Sequence, residues 1–225
     1  MAKPDDYRQE FVKLLLADDT DAAVARSREL LGESMDILEF FDQVLSPAMA
    51  AVGELFGELE IFLPELMSAA ATAKAISVQV LYPAIRLSEG ESVDLKRGKI
   101  VLGSVRGDIH DIGKNIVALM LEVNGFEVVD IGIDVNSRDF IDRSLGEGAD
   151  ILGLSALMTT SMPYMKEVVE MRDGFGHKNK FAIIVGGAPI SAAYCQEIGA
   201  DAFGKDAAEA VKKCLELMNK RTTRQ

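Results

Sequence analysis

Nowhere in this 225-residue sequence do about 18 apolar residues follow one another, as a membrane-spanning helix requires. The N-terminus, Met1-Ala2-Lys3-Pro4-Asp5-Asp6, also lacks an apolar signal region. Both absences lead to the expectation of a cytosolic protein with no membrane partner. Cysteine is scarce: Cys195 and Cys214 have no metal-ligand spacing and read as reduced, partly buried thiols. Positive charge is in deficit, with 24 Lys and Arg against 36 Asp and Glu and a formal net charge of −12. A sequence-independent grip on nucleic acid needs clustered basic residues, so that class of partner is not expected. The deficit is uneven. Residues 1–98 carry 9 basic and 18 acidic side chains, which reads as a solvated acidic surface or a docking face for a basic partner.

Up to about Arg86 apolar residues recur three and four apart, with almost no β-branched runs, which predicts helices. Phe11, Leu14 and Leu15 mark a first helix. Asp19 or Thr20 caps a second, with Ala23, Val24, Leu30 and Leu31, ending near Gly32. Ser34 is placed to cap a third, from Ile37 to Phe56, which Pro47 is expected to kink. A fourth starts at Pro64, where the missing N–H of proline costs nothing. These make a four-helix bundle over residues 1–87, followed by a polar linker over 88–98 bracketed by Gly90 and Gly98. From residue 99 to 225 strand and helix signals alternate. Strands are predicted at Lys99–Ser104, Glu127–Ile131, Ile151–Ser155, Phe181–Val185 and Ala202-Phe203, with helices between and after them. The predicted fold class is therefore α/β: a helical cap followed by a doubly wound parallel sheet of the Rossmann or flavodoxin-like kind.

Ligands on such sheets bind beyond the carboxyl ends of the strands. Three small-residue edges converge there: Gly107-Asp108-Ile109-His110-Asp111-Ile112-Gly113, Ser155-Ala156-Leu157, and Gly186-Gly187. The first is not a P-loop, since it lacks the Gly-Lys-Ser/Thr ending, and Gly103 to Gly107 does not match the dinucleotide pattern Gly-x-Gly-x-x-Gly. His110 is one of only two histidines in the chain. A neutral imidazole is a good transition-metal ligand, and a carboxylate on its other nitrogen, here Asp108, fixes the tautomer and strengthens donation. A structural metal would need three or four protein ligands, and no second His or Cys lies at suitable spacing. One histidine points to a metal that brings its own equatorial ligands. Gly107, Gly113, Gly186 and Gly187 lack side chains where backbone would approach something bulky. His177 reads as a surface loop residue, and Met158, Met162 and Met165 as packing.

Asp108-x-His110-x-x-Gly113, with Ser155-x-Leu157 and Gly186-Gly187 downstream, resembles the fingerprint of cobalamin-binding domains that hold the cofactor base-off and histidine-on. Val52-Gly53-Glu54-Leu55-Phe56-Gly57 and Phe62-Leu63-Pro64-Glu65-Leu66 look like the cap bundle of cobalamin-dependent methionine synthase and of the corrinoid proteins of multi-component methyltransferase systems. Together the resemblance covers nearly the whole chain. It implies that His110 coordinates cobalt on its lower face, that Asp108 accepts the imidazole proton, and that Ser161 stands behind that carboxylate as a relay. The loop residues Gly107, Ile109, Asp111, Ile112 and Gly113 are implied to surround the cofactor. By the same resemblance Ser155 and Thr159 contact the displaced nucleotide tail; Leu157, Gly186 and Gly187 line its slot; Phe56, Leu63 and Leu66 cover the upper face.

The implied cofactor is cobalamin, as methylcobalamin, cob(I)alamin or a related corrinoid. The implied role is a carrier that does no chemistry alone. A substrate-specific methyltransferase would load it, a second methyltransferase would pass the methyl to a thiol or tetrahydrofolate, and a reductive activase would restore it. Donors served by such carriers include methylamines, betaines, methanol, methyl thiols and aryl methyl ethers. Two other classes carry the same domain: cobalamin-dependent regulators or light sensors, expected to add a basic DNA-binding helix-turn-helix, and cobalamin subunits of radical mutases, where this cap is not expected. The N-terminal helices here are acidic.

Overall fold

A computed structural model of the chain describes residues 4–33, 35–87 and 96–222. The chain divides into two compact units, Met1–Leu95 and Lys96–Gln225. Ser34 and residues 88–95, most of the expected linker, lie outside the described residues, and Gly98 already belongs to the first strand.

The first unit contains four helices: α1 (Pro4–Leu16), α2 (Thr20–Glu33), α3 (37–57) and α4 (63–87). Asp19 caps α2, accepting from the Ala22 amide at 3.0 Å. The cap of α3 is Asp36; its carboxylate accepts from the amides of Leu38 and Glu39. At the start of α4, Glu65 reaches back to the Phe62 amide at 3.2 Å, half of a capping box. Pro47 does not break α3. Instead Phe41–Leu45 widens into a π-helical turn before the helix resumes at Ser46–Gly57. The same device recurs in α4, where Ser77–Leu81 is π-helical ahead of Pro83. In each case the carbonyl four residues before the proline, that of Gln43 or Gln79, lies in the widened turn, which relieves the clash with the ring.

The bundle core is formed by Phe11, Leu15, Phe40, Val44, Leu45, Met49, Leu66, Ile76 and Leu81, all buried. Each such burial contributes about 1.5–3 kcal/mol before entropy is counted. Phe11 and Phe40 meet edge to face at 5.2 Å. Thr20 and the buried Thr72 share a hydroxyl hydrogen bond at 2.9 Å, tying α2 to α4.

The second unit is a sheet of five parallel strands, β1 (Gly98–Ser104), β2 (Phe126–Asp130), β3 (Ile151–Ser155), β4 (Ala182–Gly186) and β5 (Ala202–Gly204), in the order β2-β1-β3-β4-β5. Helices α5 (Ile112–Val123), α6 (Ser137–Gly146), α7 (Met162–Gly174), α8 (Ala192–Ile198) and α9 (Ala207–Thr222) connect and close it. The doubly wound expectation is met, with strand ends shifted by about one residue. The cysteines prove fully sequestered. Both are free and buried, and burial pushes the Cys214 thiol up to about 12. Neither should react with a thiol reagent such as dithionitrobenzoate in the folded protein, and both should react in guanidinium. Rapid native labelling of Cys214 would contradict this packing. Among the described residues, no helix is long and apolar enough to cross a membrane.

Candidate functional site

In this strand order the winding reverses between β1 and β3, so the loops leaving those two neighbours diverge and open a crevice at their carboxyl ends. The chain after β1 first extends that pairing, with the Val105 amide donating to Ser155 O at 3.0 Å. It then turns: the Asp108 amide donates to Val105 O at 3.0 Å, and Gly107 has φ +77°. A positive φ at the third position alone defines a type II turn, which glycine accepts without strain. The turn delivers Asp108 into the interior beneath the crevice.

The Asp108 carboxylate is fully buried and surrounded by donors. Its Oδ1 accepts from the His110 amide at 3.1 Å and faces His110 Nδ1 at 2.8 Å. Its Oδ2 accepts from the amides of Leu157 at 2.7 Å and Met158 at 3.1 Å, and from Ser161 Oγ at 2.8 Å. Burial opposes ionisation, but the bonds from His110, the Leu157 amide and Ser161 outweigh it and hold this carboxyl well below the usual carboxylate range. An ionised Asp108 accepts only, so Nδ1 carries the proton and the lone pair of the neutral ring sits on Nε2. Nε2 has no hydrogen-bond partner among the described residues, and the side chain is 48% exposed.

The histidine loop and the segment that binds Asp108 also leave apolar side chains in water: Ile109 at 69% exposure, Ile112 at 68%, Leu157 at 47% and Met158 at 40%. Large aliphatic groups flanking an open imidazole leave burial unsatisfied and suit a large flat ligand. Met158, expected as packing, is therefore on this face, whereas Met165 is fully buried. Asp111 starts α5, its carbonyl accepting the Asn115 amide at 2.8 Å. A Cβ on Gly113 would meet only open space, so the room beside the loop is real. Ser155 and Thr159 lie on the β3–α7 segment, Thr159 exposed. Gly186 ends β4. Packing requires a glycine at Gly187: at φ +126°, a Cβ there would sit 1.8 Å from Ala156 O.

In the helical unit Phe56 and Leu63 are half-buried, while Leu66 is fully buried in the core. The apolar groups most open there are Leu59, Phe62 and Met67, which the sequence reading did not single out. His177 lies in the turn after α7, edge-on to Phe175 at 6.3 Å. Also missed were Ser104, whose buried Oγ donates to the carbonyl of His110 at 2.8 Å, and Lys114, buried beside Asn115 and paired with Asp130. No motif marks them. Among the described residues no three His, Cys, Asp or Glu side chains group so as to hold a metal ion.

Comparison with known proteins agrees with this geometry. A family model described as a B12 binding domain matches residues 98–212, and a second model of the same description matches residues 7–79. The chain is 40% identical over 212 residues to dimethylamine corrinoid protein 1 of Methanosarcina acetivorans, covering 93% of this chain and 96% of that one. It is 36% identical over 214 residues to a corrinoid protein of Desulfitobacterium hafniense, covering 94% and 97%. Among solved structures, a cobalamin-binding protein from Desulfitobacterium hafniense superposes with a TM-score of 0.78 at 33% identity, covering 92% of this chain and 97% of that one. The methanol:cobalamin methyltransferase complex of Methanosarcina barkeri gives 0.71 at 27% identity, covering 98% and 85%.

Proposed function

The chain belongs to the B12-binding family of corrinoid proteins, and from that membership we propose that it is a methyl carrier in which His110 Nε2 takes the lower axial position on cobalt. The observation that carries this reading is the His110 ring itself. Its Nδ1 is held by a buried, five-fold hydrogen-bonded carboxylate, and its Nε2 opens into a rim of exposed aliphatic side chains. These residues fit a corrinoid, a flat macrocycle that already fills the equatorial positions of its metal and needs one axial donor. When bound, the corrinoid supplies a cobalt centre that takes up and gives up a methyl group.

The chain's own part is control of one lone pair and two protons. With Nδ1–H donated to Asp108, the ring is fixed in the tautomer that offers Nε2. If Nε2 instead takes a proton, the same carboxylate stabilises the imidazolium. Three donors from the β3–α7 segment, Leu157 N, Met158 N and Ser161 Oγ, keep Asp108 from taking that proton itself. With a corrinoid in place, the exposed side chains of Ile109, Ile112 and Leu157 would be covered and would help to exclude water from the ring.

A carrier with this equipment works with a substrate-specific methyltransferase and with a second one that accepts the methyl on a thiol or tetrahydrofolate, and a reductive activase returns it to the cycle. The names of its relatives, dimethylamine corrinoid proteins among them, favour a methylated amine as donor. Asp108→Asn tests the site. The variant should still bind cobalamin, while the Co(II)/Co(I) midpoint potential and the rate of methyl loading change together, because an amide cannot hold the second proton on the ring. A wild-type potential in the loaded variant would contradict the role given to Asp108.

A further inference from the structure

The type II turn at Val105–Asp108 can hold Asp108 only while its central peptide keeps one orientation, since flipping that peptide redirects the residue that follows. What fixes it comes from another part of the chain. The amide of Gly107, the hydrogen on the central peptide, donates to Asp134 Oδ1 at 2.7 Å. Asp134 returns the contact from its backbone, its amide donating to Asp108 O at 3.0 Å. One residue of the β2–α6 loop thus grips the chain on both sides of the Gly107–Asp108 peptide. The loop is itself anchored to the end of β1, with Ser104 N donating to Gly132 O at 3.0 Å and Val135 N to Ser104 O at 3.1 Å.

Asp134 holds this position at φ +52°, one of three non-glycine residues with positive φ among those described. Aspartate and asparagine tolerate that region better than other side chains because their short polar groups bond locally. Here the polar group bonds instead to a distant partner, the Gly107 amide, 27 residues away in the chain. Residues held in sparsely populated backbone regions persist where the surroundings over-determine them. The two bonds of Asp134 and the two that anchor its loop to β1 provide that determination.

We infer that Asp134 is a positioning residue: its carboxylate locks the Gly107 peptide and so aligns Asp108 with His110 Nδ1, which sets how firmly the imidazole holds cobalt. This rests on the reading of His110 as the axial ligand. The hydrogen bonds of Asp134 run to the turn backbone and not to the imidazole, so its effect on the ring is exerted through the turn.

Three variants separate the carboxyl acceptor from the backbone strain. Asp134→Asn keeps an oxygen acceptor and the tolerance for positive φ. Asp134→Gly relieves the strain and removes the acceptor; Asp134→Ala removes the acceptor and keeps the strain. Each protein, loaded with cobalamin and reduced to the Co(II) form, is read by the nitrogen splitting of its EPR lines under [15N]histidine labelling, by cobalamin dissociation constant, and by thermal midpoint. Asn should match wild type. Gly and Ala should both lose histidine-coordinated signal and bind cobalamin about tenfold more weakly, the low end of what outer partners of a metal-ligating histidine carry. Gly should do so with a near-wild-type thermal midpoint. Wild-type coordination and affinity in the Gly variant would overturn the inference, as would an Asn variant as impaired as Gly. Absence of a histidine signal in the wild type would instead overturn the axial-ligand reading on which it rests.

Discussion

Replacing His110 with alanine is expected to weaken cobalamin retention by more than about 100-fold, beyond the usual cost of losing an outer partner of such a ligand. The exposed aliphatic rim of Ile109, Ile112, Leu157 and Met158 would remain, so residual binding through apolar contact is expected. What should vanish is the axial nitrogen. The fold should survive, because the ring is half exposed and its loss opens no core cavity. Asp108 loses its Nδ1 partner but keeps the amides of His110, Leu157 and Met158 and the Ser161 hydroxyl. Equilibrium dialysis with hydroxocobalamin, beside a thermal melt of the apo protein, measures both effects. Retention within a few-fold of wild type would mean that the tail and the rim, not the histidine, hold the cofactor.

The second large effect is expected from Gly187→Ala, a change of one methyl group. Its Cβ would sit 1.8 Å from Ala156 O and 2.8 Å from Ala156 C, both backbone atoms that no rotamer can move aside. A φ of +126° adds strain that an L side chain rarely accepts. The backbone of the β3–α7 segment must therefore shift, and that segment supplies Leu157 N, Met158 N and Ser161 Oγ to Asp108. A loss of about 3–5 kcal/mol in urea unfolding is expected, in the range reserved for strain at special backbone positions combined with a broken buried network. Where the variant folds, the histidine-coordinated fraction should fall as well. A stability change under about 1 kcal/mol would show that β4 and the β3–α7 segment separate more readily than this packing allows.

How much of this was legible in the sequence follows from distance along the chain. Asp108 and His110 are two residues apart, and a carboxylate at that spacing reaches the near ring nitrogen, so the pair was readable from the loop alone. Ser161 lies 53 residues from Asp108 and entered only through resemblance to a family, since nothing local says which hydroxyl of Ser155 to Ser161 turns inward. Asp134 was invisible for the same reason, its bond to the Gly107 amide spanning 27 residues; Ser104 lies close to His110, but a hydroxyl bond to a loop carbonyl leaves no motif.

Gly186 and Gly98 each ended a strand that the sequence reading stopped one residue short, because glycine reads as punctuation whether or not it pairs. Gly187 carries a packing requirement that the sequence does not show: its missing side chain makes room for the Ala156 backbone, a contact between segments 31 residues apart. In the bundle, Leu66 has a cap-like motif position yet is buried in the core, while Leu59 and Phe62 stand in water. Helical periodicity ranks residues by face and does not report which apolar face is left open.

The most direct test of the central claim uses the scarcity of histidine. With His177→Gln, His110 is the sole histidine of the chain. That protein, grown once on ordinary and once on [15N]histidine, is loaded with cobalamin, reduced to Co(II) and examined by EPR. A nitrogen-14 axial ligand splits each cobalt line in three and nitrogen-15 in two. The account predicts that labelling converts triplets to doublets. Triplets that persist would place the cofactor's own base on cobalt, and unsplit lines would leave that position without nitrogen; either result contradicts His110 as the ligand.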